Sequence, residues 1–396
     1  MPTPPGVPKV NTVPDPRESS PAYPPDLRAL TSLRIFLAVG VVLFHFQLQT
    51  DHALGYSAIV ERSRLAVDAF FMLSGFIMAH VYGAAFAAGT FSYRQFIVAR
   101  IARLYPLHLV VLGATLVMVV VATVLGVAYE ARTYSAQGFV EAVFLVHAWF
   151  PTDVGINWNG PTWSLSAEWF AYLTFPLFAA IALKLRQRPF VLLLVGVAGF
   201  LLLDAVYRHQ FGKVLPRAED VMGIARVAPE FLIGMALYGI GSRIRATRAL
   251  AITASIVSTV VLLAAMHLSL DDRIIVGLAA PVILAWSLLA KAGCEGVLAS
   301  RPLVFAGEAS FALYIVHMPV LIAWKSLTSE LRGIDSGFVV TLPELAGVFA
   351  TALIVAVAMH LAVETPGRRW IRKRFGRQTR RTLPEDLSPG LTTPAR

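Results

Sequence analysis

The chain has 396 residues, 57% of them hydrophobic and only 15% charged, against roughly 25% charged in an average soluble protein. So little charge, with a mean hydropathy of +0.66, cannot clothe a soluble surface, which excludes a soluble enzyme, a disordered chain and a fibrous repeat. The net charge of +10 would suggest nucleic acid in a soluble protein, but in a membrane protein basic residues gather in the cytoplasmic loops, so no nucleic-acid partner is expected.

Residues 1–29 form a Pro-rich polar arm, with nine prolines among the first 25 residues. No apolar stretch with a small-residue cleavage site is present, so a disordered cytoplasmic arm is expected rather than a signal peptide. Apolar segments follow near 30–48, 65–84, 104–128, 163–183, 190–207, 227–243, 249–269, 274–290, 302–324 and 343–363. Each is long enough to cross a hydrocarbon core as a helix. An eleventh stretch, Phe139–Phe150, is too short and carries Glu141 and His147.

Charge decides whether that short stretch crosses. With the N-terminus inside and 139–150 not spanning, 24 of the 34 basic residues fall inside and 10 outside. If it did cross, the Lys184–Arg188 loop and the basic tail would land outside, against the positive-inside rule. The expected fold is all-α: about ten transmembrane helices plus one short re-entrant or interfacial helix. The transmembrane domain covers 30–367, and 368–396 is a basic cytoplasmic tail. The protein is expected in the inner or plasma membrane, multi-pass, with both termini cytoplasmic. Non-helical backbone at membrane depth must be buried in protein or line a cavity, which makes the 139–150 region a natural neighbour of an active site. The lone Cys294 excludes an intramolecular disulfide.

Charges inside a bilayer are costly, so each asks for a partner or a function. Arg34 and His45 lie eleven residues apart in the first segment, which places them on one helix face about 16 Å apart along the axis. Arg34 sits toward the cytoplasmic end and His45 beyond the midplane. An anionic donor could dock at Arg34 and place its reactive end at His45, a side chain suited to general-base work. Asp68 lies near the outer end of the second segment, where a carboxylate could orient that imidazole. Gly75 permits close helix approach.

Arg100 and Arg103 face together at the inner mouth of the third segment, and paired guanidiniums suit phosphate. The stretch Asn157-Trp158-Asn159-Gly160-Pro161-Thr162-Trp163-Ser164-Leu165-Ser166-Ala167-Glu168-Trp169 opens a helix at Pro161. It places Ser164 and Glu168 on one face, with Glu168 two turns into apolar surroundings. Arg226 and Glu230, four apart, read as a structural salt bridge. Ser310, Tyr314 and His317 form a polar stripe suited to packing or to substrate contact. Glu364 is expected to pair with Arg368 or another arginine of the tail.

Taken in order, these motifs resemble those of the membrane-bound acyltransferase family 3, which O-acylates sugars and related acceptors. The resemblance covers about residues 27–375. It rests on Leu33-Arg34 with ten residues before His45, Asp68-x-Phe-Phe-x-Leu-Ser-Gly-Phe, Arg100-x-x-Arg103-x-Tyr-Pro and Trp163-Ser-Leu-Ser-x-Glu168. It continues through Glu230-Phe-Leu-x-Gly234, Ser310-x-x-x-Tyr314-x-x-His317 and Glu364-x-Pro366. Ala66-Val67 stands where the family often has Gly before the Asp.

The resemblance implies His45 as the catalytic histidine, with Asp68 and Glu168 close to the active centre. It implies Arg34, Arg100 and Arg103 as the binding residues for an acyl-CoA donor, with acetyl-CoA expected. Trp163, Ser164, Tyr314 and His317 are the expected substrate contacts, and no metal is expected. The implied reaction moves an acyl group to a hydroxyl of a carbohydrate-containing acceptor, a surface polysaccharide or lipid-linked glycan. Either His45 activates the hydroxyl or His45 is itself acylated first. A macrolide-like metabolite is the other acceptor class, and a proton-coupled secondary transporter the other functional class.

Overall fold

The computed structural model describes residues 23–50, 56–127, 131–150, 158–219, 221–334 and 337–376. The arm before Tyr23, Asn157 and the distal arginines Arg377, Arg380 and Arg381 lie outside them. Among the described residues there is no strand, and the α-helices follow in this order. They are α1 (Arg28–Gln47), α2 (Ala58–Arg62), α3 (Ala66–Ala87), α4 (Tyr93–Leu125), α5 (Ala136–Phe144), α6 (Trp163–Leu173) and α7 (Phe175–Lys184). Then come α8 (Pro189–Phe211), α9 (Ile224–Arg243), α10 (Arg248–His267), α11 (Asp272–Lys291), α12 (Arg301–Arg332), α13 (Leu342–Met359) and α14 (Thr365–Phe375).

Among the described residues, nine helical stretches are long and apolar enough to cross a membrane, counting α2–α3 and α13–α14 each as one, and α6–α7 make a tenth, broken one. Every segment expected from hydropathy is present. The protein is an all-α, multi-pass membrane protein.

Local sequence explains the ends. Ser92 caps α4 by accepting from the Gln95 amide, and Gly126 closes it in the left-handed conformation. The stretch 163–183, expected as one straight span, is bent by 59° between α6 and α7. Pro176 sits in the first turn of α7; it lacks an N–H and its ring would clash with the carbonyl four residues back. The short α5 spans only nine residues and stops where Leu145 adopts a φ of 55°, so the chain turns back there instead of crossing.

Helix crossings are made by glycine. A Cβ on Gly75 of α3 would strike the Phe231 carbonyl of α9, and one on Gly234 of α9 would strike the Met72 carbonyl of α3. On the other side, a Cβ on Gly307 of α12 would strike the Thr31 carbonyl of α1. Gly75→Ala or Gly234→Ala is therefore expected to force α3 and α9 apart, costing about 1–3 kcal/mol or more. The loss would be read as a lower melting temperature in detergent; an unchanged one would refute the crossing.

The packed chain begins earlier than residue 30. Tyr23 stacks on Tyr238 at 5.7 Å and its hydroxyl lies 2.8 Å from that of Ser287. At the other end, the first part of the basic tail is helical, since α14 continues the last span to Phe375.

Candidate active site

Two features built by different helices lie end to end. The first is a pair of histidines. His45, near the end of α1, has Nδ1 2.9 Å from the Val41 carbonyl and 3.2 Å from Nε2 of His317 on α12. His317 is buried, and its own Nδ1 lies 2.7 Å from the Tyr314 carbonyl. A carbonyl can only accept, so each Nδ1 carries the hydrogen. His317 then offers a bare Nε2 to His45 Nδ1–H. That fixes the tautomer of His45 and leaves its Nε2 as a free lone pair, with no partner among the described residues. Such an atom can take a proton from a hydroxyl.

The second feature is a cavity of about 130 Å³ lined in part by Arg34 of α1, Ser74 of α3, Arg100 and Arg103 of α4, and Glu168 and Tyr172 of α6. Ser164 of α6 and Tyr314 of α12 also line it. The three arginines expected to act together are thus brought to one space. Arg100 is caged by aromatic rings, its guanidinium carbon 5.4 Å from Tyr172 and 5.7 Å from both Tyr82 and Phe96. Its Nε keeps no partner, and the same holds for Nη2 of Arg103. Arg34 has no hydrogen-bond partner among the described residues, and the charges acting on it include Arg103, Glu168 and Glu364. A cluster of half-buried cations with unpartnered N–H groups is a site for an anion.

Glu168 is held in this cavity by two hydroxyls, those of Ser74 and Tyr172, each donating to Oε1 at 2.5 Å. It does not touch His45. Tyr314 closes the cavity on the histidine side. Its hydroxyl is 2.7 Å from that of Ser164 and donates to the Pro161 carbonyl at 2.9 Å. Its ring lies 6.0 Å from that of His317. His45 itself is not in the cavity wall: Tyr314, which closes the cavity, stands one turn of α12 before His317, the partner of His45.

Residues 27–361 match the acyltransferase domain that defines acyltransferase family 3. The chain belongs to that family. Over 394 residues it is 29% identical to the acyltransferase MdmB of Streptomyces mycarofaciens, covering 92% of this chain and 98% of that protein. A 51-residue stretch is 53% identical to protein 2 in the picA locus of Rhizobium radiobacter, covering 13% of this chain and 27% of that protein. No solved structure matches.

Several expectations for this family 3 acyltransferase need correction. Asp68 does not orient His45. It is buried and engaged by Arg226 of α9 through two 2.7 Å bonds, Nε to Oδ1 and Nη2 to Oδ2. Arg226 accordingly does not pair with Glu230, whose buried carboxyl oxygens have no hydrogen-bond partner. Trp163 lies over Arg226, 4.9 Å from its guanidinium, with its ring edge-on to Phe71; it braces this ion pair and does not line the cavity. Glu364 pairs with Arg103, not with the tail.

His317, an expected substrate contact, is bonded to His45. Spacing of four within one helix points Arg226 toward Glu230; the sequence signal for its actual partner is Asp68, a carboxylate among apolar residues in another span. His360 went unnoticed, although it stands four residues before Glu364 in the last span.

Proposed function

We propose that this acyltransferase carries an acyl group, acetyl being the expected one, from acyl-CoA on the cytoplasmic side to a hydroxyl of a carbohydrate-containing acceptor. The acceptor class is a surface polysaccharide or lipid-linked glycan. Both chain termini lie in the cytoplasm in this reading, and the membrane is the inner or plasma membrane. The observation that carries the proposal is an arginine-lined cavity closed by Tyr314, one turn of α12 from His317, the partner of a histidine whose Nε2 is free.

In this reading the phosphates of the donor meet Arg34, Arg100 and Arg103, whose spare N–H groups suit them. The thioester lies past the Ser164–Tyr314 wall, where a hydroxyl that turns away from the Pro161 carbonyl can donate to the thioester carbonyl oxygen as charge develops there. His45 Nε2 takes the proton of the acceptor hydroxyl, and the oxygen attacks the thioester carbon. Collapse breaks the carbon–sulfur bond, and the departing thiolate takes the proton from His45. The products are an ester and free coenzyme A, with His45 restored. His317, an uncharged acceptor while His45 rests, also receives the Nδ1–H bond that strengthens when His45 becomes charged. Glu168, two hydroxyl bonds deep in the cavity, sets the position of Tyr172 against Arg100.

The test is equilibrium binding of acetyl-CoA to purified protein, wild type beside the Arg100→Ala/Arg103→Ala double variant. Saturable binding that weakens at least tenfold in the variant is expected, since charge-assisted bonds to phosphate are about twice as strong as neutral ones. If the wild type binds neither acetyl-CoA nor longer acyl-CoAs, the donor assignment is wrong.

A further inference from the structure

The last spanning helix is irregular at one place. Between α13 and α14, residues His360–Glu364 form a π turn, an irregularity that recurs at functional sites. The two residues at its ends are bonded to each other: His360 Nδ1–H donates to Glu364 Oε2 at 2.8 Å. The other oxygen of the same carboxylate, Oε1, accepts from Arg103 Nη1. His360 and Glu364 are both buried, and the His360 ring stands edge-on to Phe305 at 5.6 Å. The guanidinium of Arg103 lies 4.9 Å from the ring of Phe311. Gly367, just past the turn, brings α14 against α4, where a Cβ would meet that of Pro106 at 2.6 Å.

An arginine beside a free carboxylate ordinarily takes both oxygens with two parallel N–H bonds. Here it does not, because His360 holds Oε2. Arg103 is left with a single-point contact through Nη1, and its Nη2 has no partner while its side chain forms part of the cavity wall. The arrangement keeps a guanidinium anchored and one of its N–H groups in reserve.

We propose that His360 is a positioning residue of the donor site: by occupying Glu364 it prevents Arg103 from closing onto the carboxylate and keeps Nη2 available for a phosphate of the acyl-CoA donor. This deepens the donor reading above and rests on it. Without His360, Arg103 would swing to the two-point contact and withdraw from the cavity.

The test is a double-mutant cycle read by acetyl-CoA binding to the full-length protein in lipid nanodiscs. His360→Ala is expected to weaken binding about tenfold, the scale of one bond to a charged group. His360→Gln, which keeps an N–H donor, is expected to recover most of that loss. In an Arg103→Ala background, His360→Ala is expected to change the affinity by less than about twofold. Equal losses in both backgrounds, or failure of glutamine to restore binding in a variant that melts like wild type, would overturn the proposal and leave His360 a packing residue. Wild-type affinity in His360→Ala would also overturn it. If Arg103→Ala alone binds acetyl-CoA like wild type, the donor reading fails first, a result distinct from failure of His360 alone.

Discussion

His45→Ala is expected to lower turnover by about a thousandfold, within the range that a positioned general base contributes, while acetyl-CoA binding stays within about twofold of wild type. The split follows from the geometry. His45 lies outside the wall of the arginine cavity, so its loss removes no donor contact. Its Nδ1 is committed to Val41 and His317, so the only atom the substitution removes from chemistry is Nε2. His317→Ala is expected to fall between the two, because His45 keeps its bond to the Val41 carbonyl and hence its tautomer. A loss of about tenfold is anticipated there, with His317→Gln closer to wild type because its amide oxygen can still accept from His45. Turnover of radiolabelled acetyl-CoA in membranes reads all three. Near-normal turnover in His45→Ala would remove His45 from the mechanism, and a parallel loss of donor binding would assign it to recognition instead.

Asp68→Asn is expected to act on folding before it acts on chemistry. The Asp68–Arg226 pair is buried on both sides and bonded at two points. Removing one charge leaves a guanidinium beneath Trp163 with no carboxylate bonded to it. Breaking a buried pair in this way costs about 3–5 kcal/mol, whereas replacing both partners by apolar residues of similar volume is often close to neutral. The single variant should therefore show a markedly lower melting temperature in detergent and a lower folded yield. The Asp68→Leu/Arg226→Met double variant should recover much of both. A fully stable Asp68→Asn protein without turnover would instead return Asp68 to the active centre.

Much of the fold is legible in the sequence because hydropathy and charge placement are local properties. Ten apolar stretches, a short one with Glu141 that does not cross, and small residues such as Gly75 at a crossing can all be read along the chain. Arg34, Arg100 and Arg103 can also be picked out along the chain, since each stands in or beside an apolar stretch, and the structure brings them to one cavity. What could not be read is which polar group meets which across helices. His45 and His317 are 272 residues apart, Arg226 and Asp68 158, and Arg103 and Glu364 261. In each case nearness in sequence suggested a different partner: Asp68 for His45, Glu230 for Arg226, Arg368 for Glu364. The break at Thr174–Phe175 has a sequence signal in Pro176, but hydropathy, which runs through it without interruption, hides it.

That break has a mechanical meaning for an enzyme that must work in bilayers of varying thickness. A single straight span answers a thinner or thicker membrane by tilting along its whole length, and every side chain on it moves. With 59° between α6 and α7, the joint lies just past Tyr172, so a change in the tilt of α7 need not turn the axis of α6. Glu168 and Ser164, on the α6 side of the joint, stay referenced to the hydroxyls of Ser74 and Tyr314. The cavity wall on α6 is thereby referenced to the hydroxyls of the neighbouring helices and not to the tilt of α7.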